Sequence, residues 1–178
     1  MAFEETGISR RDIALVGAGL AALSLPATDA QARSGKKRAV RIPAEDRLDI
    51  IELMARYAWA YDTGHIDGFL DTFTEDGTMI GFGKLIGGKA EIRPFLVEGL
   101  ARRGDAGWQH LTDHHVFRDY TGDTCTVFSF YTMMEADSSG ANGRVRAMGY
   151  YTSHCRKEKG EWLFARREVT RWDGKRPW

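Results

Sequence analysis

Cysteine, proline and charge of one sign are all scarce in this sequence, and each scarcity removes a class of explanation. Two cysteines, Cys125 and Cys155, in 178 residues are too few for a disulfide scaffold, and neither stands in a metal-ligand or redox spacing. Basic and acidic residues number 25 each, so no excess of positive charge points to nucleic acid. The longest apolar run, Ile13 to Leu25, is too short and too rich in glycine and alanine for a stable membrane span. Phosphate-binding glycine loops and nucleophile elbows are also missing, and no cofactor is expected. Aromatic residues are abundant instead: five Trp, six Tyr and nine Phe. They suit a core, or a pocket for a small hydrophobic molecule, aromatic ones included.

The first 32 residues differ in character from the rest. Ser9-Arg10-Arg11-Asp12-Ile13 precedes the mild apolar stretch from Ile13 to Leu25, followed by Pro26 and Ala30-Gln31-Ala32. A basic pair, an apolar segment and a small-residue site are the layout of a cleavable export signal. The paired arginines resemble the twin-arginine type, which exports folded proteins, although Ile-Ala stands where that type usually has Phe-Leu. The expectation is a signal peptide over 1–32, a basic flexible leader over 33–43, and a periplasmic mature protein. In an oxidising compartment Cys125 and Cys155 pair if their strands are neighbours; two buried free thiols are the other reading.

From residue 44 onward the apolar spacing is helical. Pro43-Ala44-Glu45-Asp46 is a helix start. Leu48, Ile51, Ala55 and Ala58 then follow steps of three and four, with Ile50, Met54, Tyr57 and Tyr61 on the adjoining stripe. The helix ends near Thr63-Gly64. A short helix over Asp67 to Phe73 and a short strand over Thr78 to Phe82 follow, and Gly81, Gly83, Gly87 and Gly88 read as turns. Lys89 to Arg103 is helical again. Four long runs rich in Thr, Val and aromatics then read as an antiparallel meander: Trp108–Phe117, Thr124–Glu135, Arg144–Lys157 and Glu161–Asp173. Helices first and strands after predict one α+β domain over 44–178, with helices packed on one face of a curved sheet.

Asp62 is the most informative residue. It continues the Leu48, Ile51, Ala55, Ala58 series by one more step of four, so it lies on the face expected to be buried. A carboxylate there needs a partner; the alternative is a frayed, solvated helix end. His110 opens the first long strand and shares a face with Trp108, Thr112 and His114. A carboxylate beside a histidine fixes its tautomer and leaves the other ring nitrogen as a general base. The trio His110, His114 and His115 does not suit a metal. Positions four apart on a strand are separated by roughly 13 Å, and neighbours point to opposite faces. Arg166 and Arg167 lie on opposite faces of the last strand, so one of them is placed to point inward and meet a carbonyl, leaving group or carboxylate; solvated or surface-paired arginines are the other reading.

Three segments together resemble the SnoaL-like branch of the nuclear-transport-factor-2-like superfamily. They are RYAWAYDTGHIDGFLDTFTEDGTM over 56–79, Gln109-His110-Leu111, and Gly160-Glu161-Trp162 before a final Arg-bearing strand. The resemblance implies a cone-shaped α+β barrel, with the helices packed in the concave face of a mostly antiparallel sheet around a closed pocket. Family enzymes such as scytalone dehydratase and hexachlorocyclohexane dehydrochlorinase place an Asp–His dyad where Asp62 and His110 fall, and Tyr61-Asp62 resembles the dehydratase's Tyr-Asp pair. The position that is basic in the dehydrochlorinase is Tyr57 here, so dechlorination is not implied. The implied activity is a cofactor-independent lyase of the elimination type. Tyr57, Tyr61, Met79, Trp108, Thr112 and Arg167 would line its substrate site, and a homodimer or homotrimer is implied. An isomerase of the ketosteroid type, or a non-catalytic binding or assembly domain, has the same fold.

Overall fold

The computed structural model describes residues 41–81 and 83–178; the expected signal peptide and most of the leader lie outside them. Helix α1 (Ala44–Thr63) is followed by the short α2 (Ile66–Leu70), strands β1 (Phe73–Gly81) and β2 (Lys84–Gly87), and helix α3 (Gly88–Arg103). Four long strands complete the chain: β3 (Gly107–Arg118), β4 (Thr124–Ala136), β5 (Arg144–Glu158) and β6 (Glu161–Arg171). The strands form a single sheet in the order β2-β1-β6-β5-β4-β3. The meander β3 to β6 is antiparallel, and β1 joins β6 in parallel. The expected α+β architecture and the four-strand meander are both present.

Two local expectations change. The second helix stops at Leu70 rather than Phe73, because Thr72, Phe73 and Thr74 are buried and already serve the sheet. The Phe164 N–H donates to the Thr72 carbonyl at 2.9 Å. The glycine-rich stretch is a hairpin rather than turns alone, with β2 antiparallel to β1. Within β1 the register against β6 shifts between Phe73 and Thr78. Gly77 permits this irregularity, since a Cβ there would come within 2.9 Å of the Phe164 and Thr74 carbonyls.

The core lies between α1, α2 and the inner face of the sheet. Tyr57 packs against Phe69, Phe73, Tyr151 and Phe164, with ring centroids 4.5 to 6.1 Å apart. Each such ring pair contributes about 0.5–1.5 kcal/mol beyond the burial itself. Among α1 residues, the core takes Ile50, Leu53, Met54 and Tyr57, the stripe adjoining the expected one. Leu48 is 65% exposed. The larger side chains of the neighbouring stripe fill the interior better, while small Ala55 and Ala58 leave space beside the helix.

Both ends of α1 are held. At its start Asp46 accepts hydrogen bonds from Tyr120 Oη (2.5 Å), Lys157 Nζ (2.8 Å) and Trp162 Nε1 (2.9 Å). At its end Gly64 adopts φ 74°. The Gly64 N–H donates to the Tyr61 carbonyl and the His65 N–H to the Ala60 carbonyl, which is the Schellman closure. Cys125 and Cys155 sit opposite one another on β4 and β5, and both are buried free thiols. Burial pushes them up to about 11 and about 12. No helix among the described residues is long and apolar enough to cross a membrane.

Candidate active site

A cavity of about 760 Å³ lies between α1 and β3, an edge strand of the sheet. Its helix side is Ile51, Met54, Ala55, Ala58, Trp59, Asp62 and Thr63; its strand side runs from Trp108 to Asp113 and includes His115. The stripe expected to be core therefore forms the wall of the cavity from Ile51 onward. The cavity is an open cleft rather than a closed pocket: Trp59, 73% exposed, and the exposed Leu111 stand along it. It opens there because, among the described residues, β3 has no strand neighbour on its outer side.

Asp62 and His110 meet in this cleft. The His110 ring Nδ1 lies 2.6 Å from Asp62 Oδ1, and the His110 backbone N–H donates to Oδ2 at 2.6 Å. Both side chains are nearly buried, 12% and 9% exposed. With its carboxylate gripped at both oxygens, Asp62 accepts the Nδ1 proton. That leaves the Nε2 lone pair as the free basic position. Tyr61 packs edge-on to the His110 ring at 5.4 Å and stacks on Trp108 at 5.7 Å. Arg103, in the last turn of α3, donates to the Asp62 backbone carbonyl at 2.7 Å and lies over the Trp108 ring. The Trp108 indole N–H donates to Glu135 at 3.0 Å. Arg144 and Arg146 pair with the same carboxylate and help hold it at about 2.

Of the expected substrate-lining residues, Trp108 and Thr112 line the cleft. Thr112 Oγ1 is buried with no hydrogen-bond partner among the described residues. Tyr61 stands behind the dyad, and burial raises its hydroxyl pKa. Tyr57 and Met79 are core residues away from the cleft, and burial pushes the Tyr57 hydroxyl up to about 12. Arg167 settles which of the two arginines faces inward: it is fully buried, and Arg166 is exposed. Its guanidinium lies 3.8 Å from the Tyr151 ring centroid and 4.2 Å from that of Tyr57. One nitrogen donates to Ser153 Oγ at 2.7 Å, while Nε and the other terminal nitrogen have no hydrogen-bond partner among the described residues. Met54 stands between this group and the cleft, with its sulfur 3.4 Å from the guanidinium.

The alternation expected along β3 breaks at a bulge. Register against β4 shifts between Asp113 and Val116, and His114 takes φ 52°. One extra residue flips the parity. His114 is therefore exposed rather than sharing the inner face with His110, and His115 turns to the cleft. Burial lowers the His115 pKa and so favours the neutral ring. Among the described residues no group of three or more His, Cys, Asp or Glu side chains is placed to hold a metal.

Helices gathered in a curved sheet, with a hydrogen-bonded Asp–His pair set in a cleft beside the first helix, define an α+β cone of the nuclear-transport-factor-2-like class. The sequence matches the SnoaL-like domain model over residues 43–168, and the chain belongs to that family. It is similar in structure to a protein of unknown function from Mycobacterium tuberculosis, at 27% identity and TM-score 0.64, covering 72% of each chain. A protein of Novosphingobium aromaticivorans provisionally named an aromatic ring hydroxylase matches at 30% identity and TM-score 0.63, over 74% of this chain and 92% of that one. Another from the same organism, provisionally named a scytalone dehydratase, shares the fold at 20% identity and TM-score 0.61, over 72% of this chain and 85% of that one. A comparison with curated proteins found no match.

Proposed function

We propose that the chain is a cofactor-independent lyase that eliminates water from a small hydrophobic β-hydroxy carbonyl compound. The observation that carries this reading is the two-point grip of Asp62 on His110, at 2.6 Å to each donor, in a cleft with apolar walls. His110 Nε2 takes the proton from the carbon next to the carbonyl. Asp62 balances the imidazolium, and the same proton passes to the departing hydroxyl, so water leaves and the histidine returns to its starting state. Thr112 Oγ1, unpartnered on the same wall, donates to the enolising oxygen. Trp59, Ile51 and Ala55 offer apolar contact to the rest of the molecule.

The test is turnover of β-hydroxy aromatic ketones by His110→Ala and Asp62→Asn. Loss of a positioned general base is expected to lower kcat by about 10²- to 10⁴-fold, with the fold retained by circular dichroism. Unchanged turnover in both variants would overturn the mechanism. Export through the twin-arginine-type segment is part of the same proposal, supported by Ser9-Arg10-Arg11 and Ala30-Gln31-Ala32. Mass spectrometry of the periplasmic protein is expected to show an N-terminus at Arg33; full-length protein confined to the cytoplasm contradicts export.

A further inference from the structure

Cys125 and Cys155 are the only cysteines of the chain, and the cleft uses neither. They stand directly opposite one another on the antiparallel pair β4 and β5. Both side chains are buried on the inner face of the sheet, Cys125 in step with Val127 and Ser129, Cys155 in step with Ser153 and Tyr151. Directly opposed residues of such a pair have Cα atoms roughly 4.5–5.5 Å apart and Cβ atoms at a similar distance. A disulfide requires Cα atoms about 4.4–6.8 Å and Cβ atoms about 3.5–4.5 Å apart. The strand register therefore brings the Cα atoms into range and leaves the Cβ atoms within about 1 Å of it.

Little holds the two thiols apart. Cys125 Sγ donates to the Arg118 and Thr126 carbonyls at 3.5 and 3.7 Å, long contacts from a weak donor. The register of β5 against β6 shifts between His154 and Cys155, an irregularity at which a strand can bend. Only the Thr124–Arg156 pair lies beyond the cysteines in the β4–β5 ladder, so fraying of that strand end exposes them early. The pair also lies where α1 is tied to the sheet: Lys157, just past Cys155, and Trp162 on β6 both donate to Asp46.

We propose that Cys125 and Cys155 form a redox modification site, at which a small-molecule disulfide converts the two thiols into a cross-strand bond. One cysteine thiolate attacks the oxidant, breaking its S–S bond and expelling one thiolate. The other cysteine attacks the protein sulfur of this mixed disulfide, forming the Cys125–Cys155 bond and expelling the second. The oxidant gains two electrons and the two cysteine protons, and leaves as two thiols. Burial raises both cysteine pKa values, so the exchange is slow and proceeds through opened strand ends. The new bond closes a loop of about 30 residues around the β4–β5 hairpin and removes that freedom from the unfolded chain. The pairing of His110 with Met133 lies about 26 Å along β4 from Cys125, at roughly 3.3 Å per residue. The bond therefore acts on stability and leaves the dyad in place.

The test brings the full chain to equilibrium in glutathione–glutathione disulfide buffers of graded ratio, once in native buffer and once in concentrated urea. Samples are quenched in acid, alkylated and weighed by intact-mass spectrometry, and the half-oxidised point gives an effective thiol concentration. In urea this is expected to be on the order of millimolar, as for a flexible loop. In native buffer it is expected to be about 30- to 1000-fold higher, the stabilisation of a typical disulfide expressed as a ratio. The oxidised chain is expected to melt about 5 to 15 °C above the reduced one, and reduction to reverse the shift. An effective concentration no higher in native buffer than in urea overturns the site, because the fold then opposes the bond. Glutathione adducts or disulfide-linked dimers in place of the internal bond overturn it as well.

Discussion

Thr112 shows how a single side chain is held in the cleft at a cost to the fold. Its hydroxyl is buried without a partner, a situation that typically costs about 1–3 kcal/mol. A valine has nearly the same shape and removes the orphaned group. Thr112→Val is therefore expected to unfold at a higher temperature than the wild type by a few degrees. On the proposed mechanism it also loses the donor to the enolising oxygen, and turnover falls by about 10²- to 10³-fold. Differential scanning calorimetry and steady-state kinetics on one preparation check both halves. A variant that gains stability with unchanged turnover removes Thr112 from the mechanism. Arg167 poses the same question more deeply, since two of its nitrogens lie in the core without a partner among the described residues. Three aromatic faces, those of Tyr57, Tyr151 and Phe164, take the place of a carboxylate around it.

At the scale of the element, α1 is the part that places the dyad's carboxylate. Asp62 lies in the last turn of the helix, and its direction depends on how that helix stops. Gly64 closes the helix at φ 74°, and the bonds from its N–H and that of His65 fix the final turn. A side chain at this left-handed position costs about 1 kcal/mol, and its Cβ would meet the Arg103 guanidinium at 3.4 Å. Gly64→Ala is expected to lose about that much stability in a urea melt. Turnover should drop by more than the stability loss explains, because Arg103 also holds the Asp62 carbonyl. Activity unchanged in folded Gly64→Ala protein contradicts this coupling. Much of this element was legible in the residues: the Pro-acid start, the helical spacing, the glycine stop and the position of Asp62. Which stripe faces the core was not, because α1 carries two apolar stripes and only packing chooses between them. The β3 bulge was equally hidden. Nothing in Asp113-His114-His115 marks an extra residue, yet that residue exchanges the two histidines between faces. Tyr57, Met79 and Arg167 looked like pocket residues because inward-facing positions serve core and cleft alike. Only the volume occupied by their neighbours separates the two.

For the molecule as a whole, Asp46 is the knot. Its carboxylate ties the first turn of α1 to the β3–β4 connection through Tyr120, to β5 through Lys157 and to β6 through Trp162. These donors, the Lys157 bond first among them, hold Asp46 at about 2, below its ordinary 3.8. A carboxyl group depressed in the folded state stabilises above its unfolded pKa and ceases to do so as pH falls through the folded value. The stabilisation is therefore complete above about pH 5 and disappears between about pH 4 and 2. Asp46→Asn presents an amide N–H to donors that need an acceptor, and it leaves the buried Trp162 N–H poorly satisfied. At pH 7 the expected loss is on the order of 3 kcal/mol, or roughly 10 °C in Tm for a domain of this size. Thermal melts of both proteins from pH 7 to pH 2.5 check the sign. The gap should hold steady down to about pH 5 and then close as the wild type loses its ionised carboxylate. A gap that stays constant to pH 2.5 shows that packing around Asp46, rather than its charge, joins the helix to the sheet.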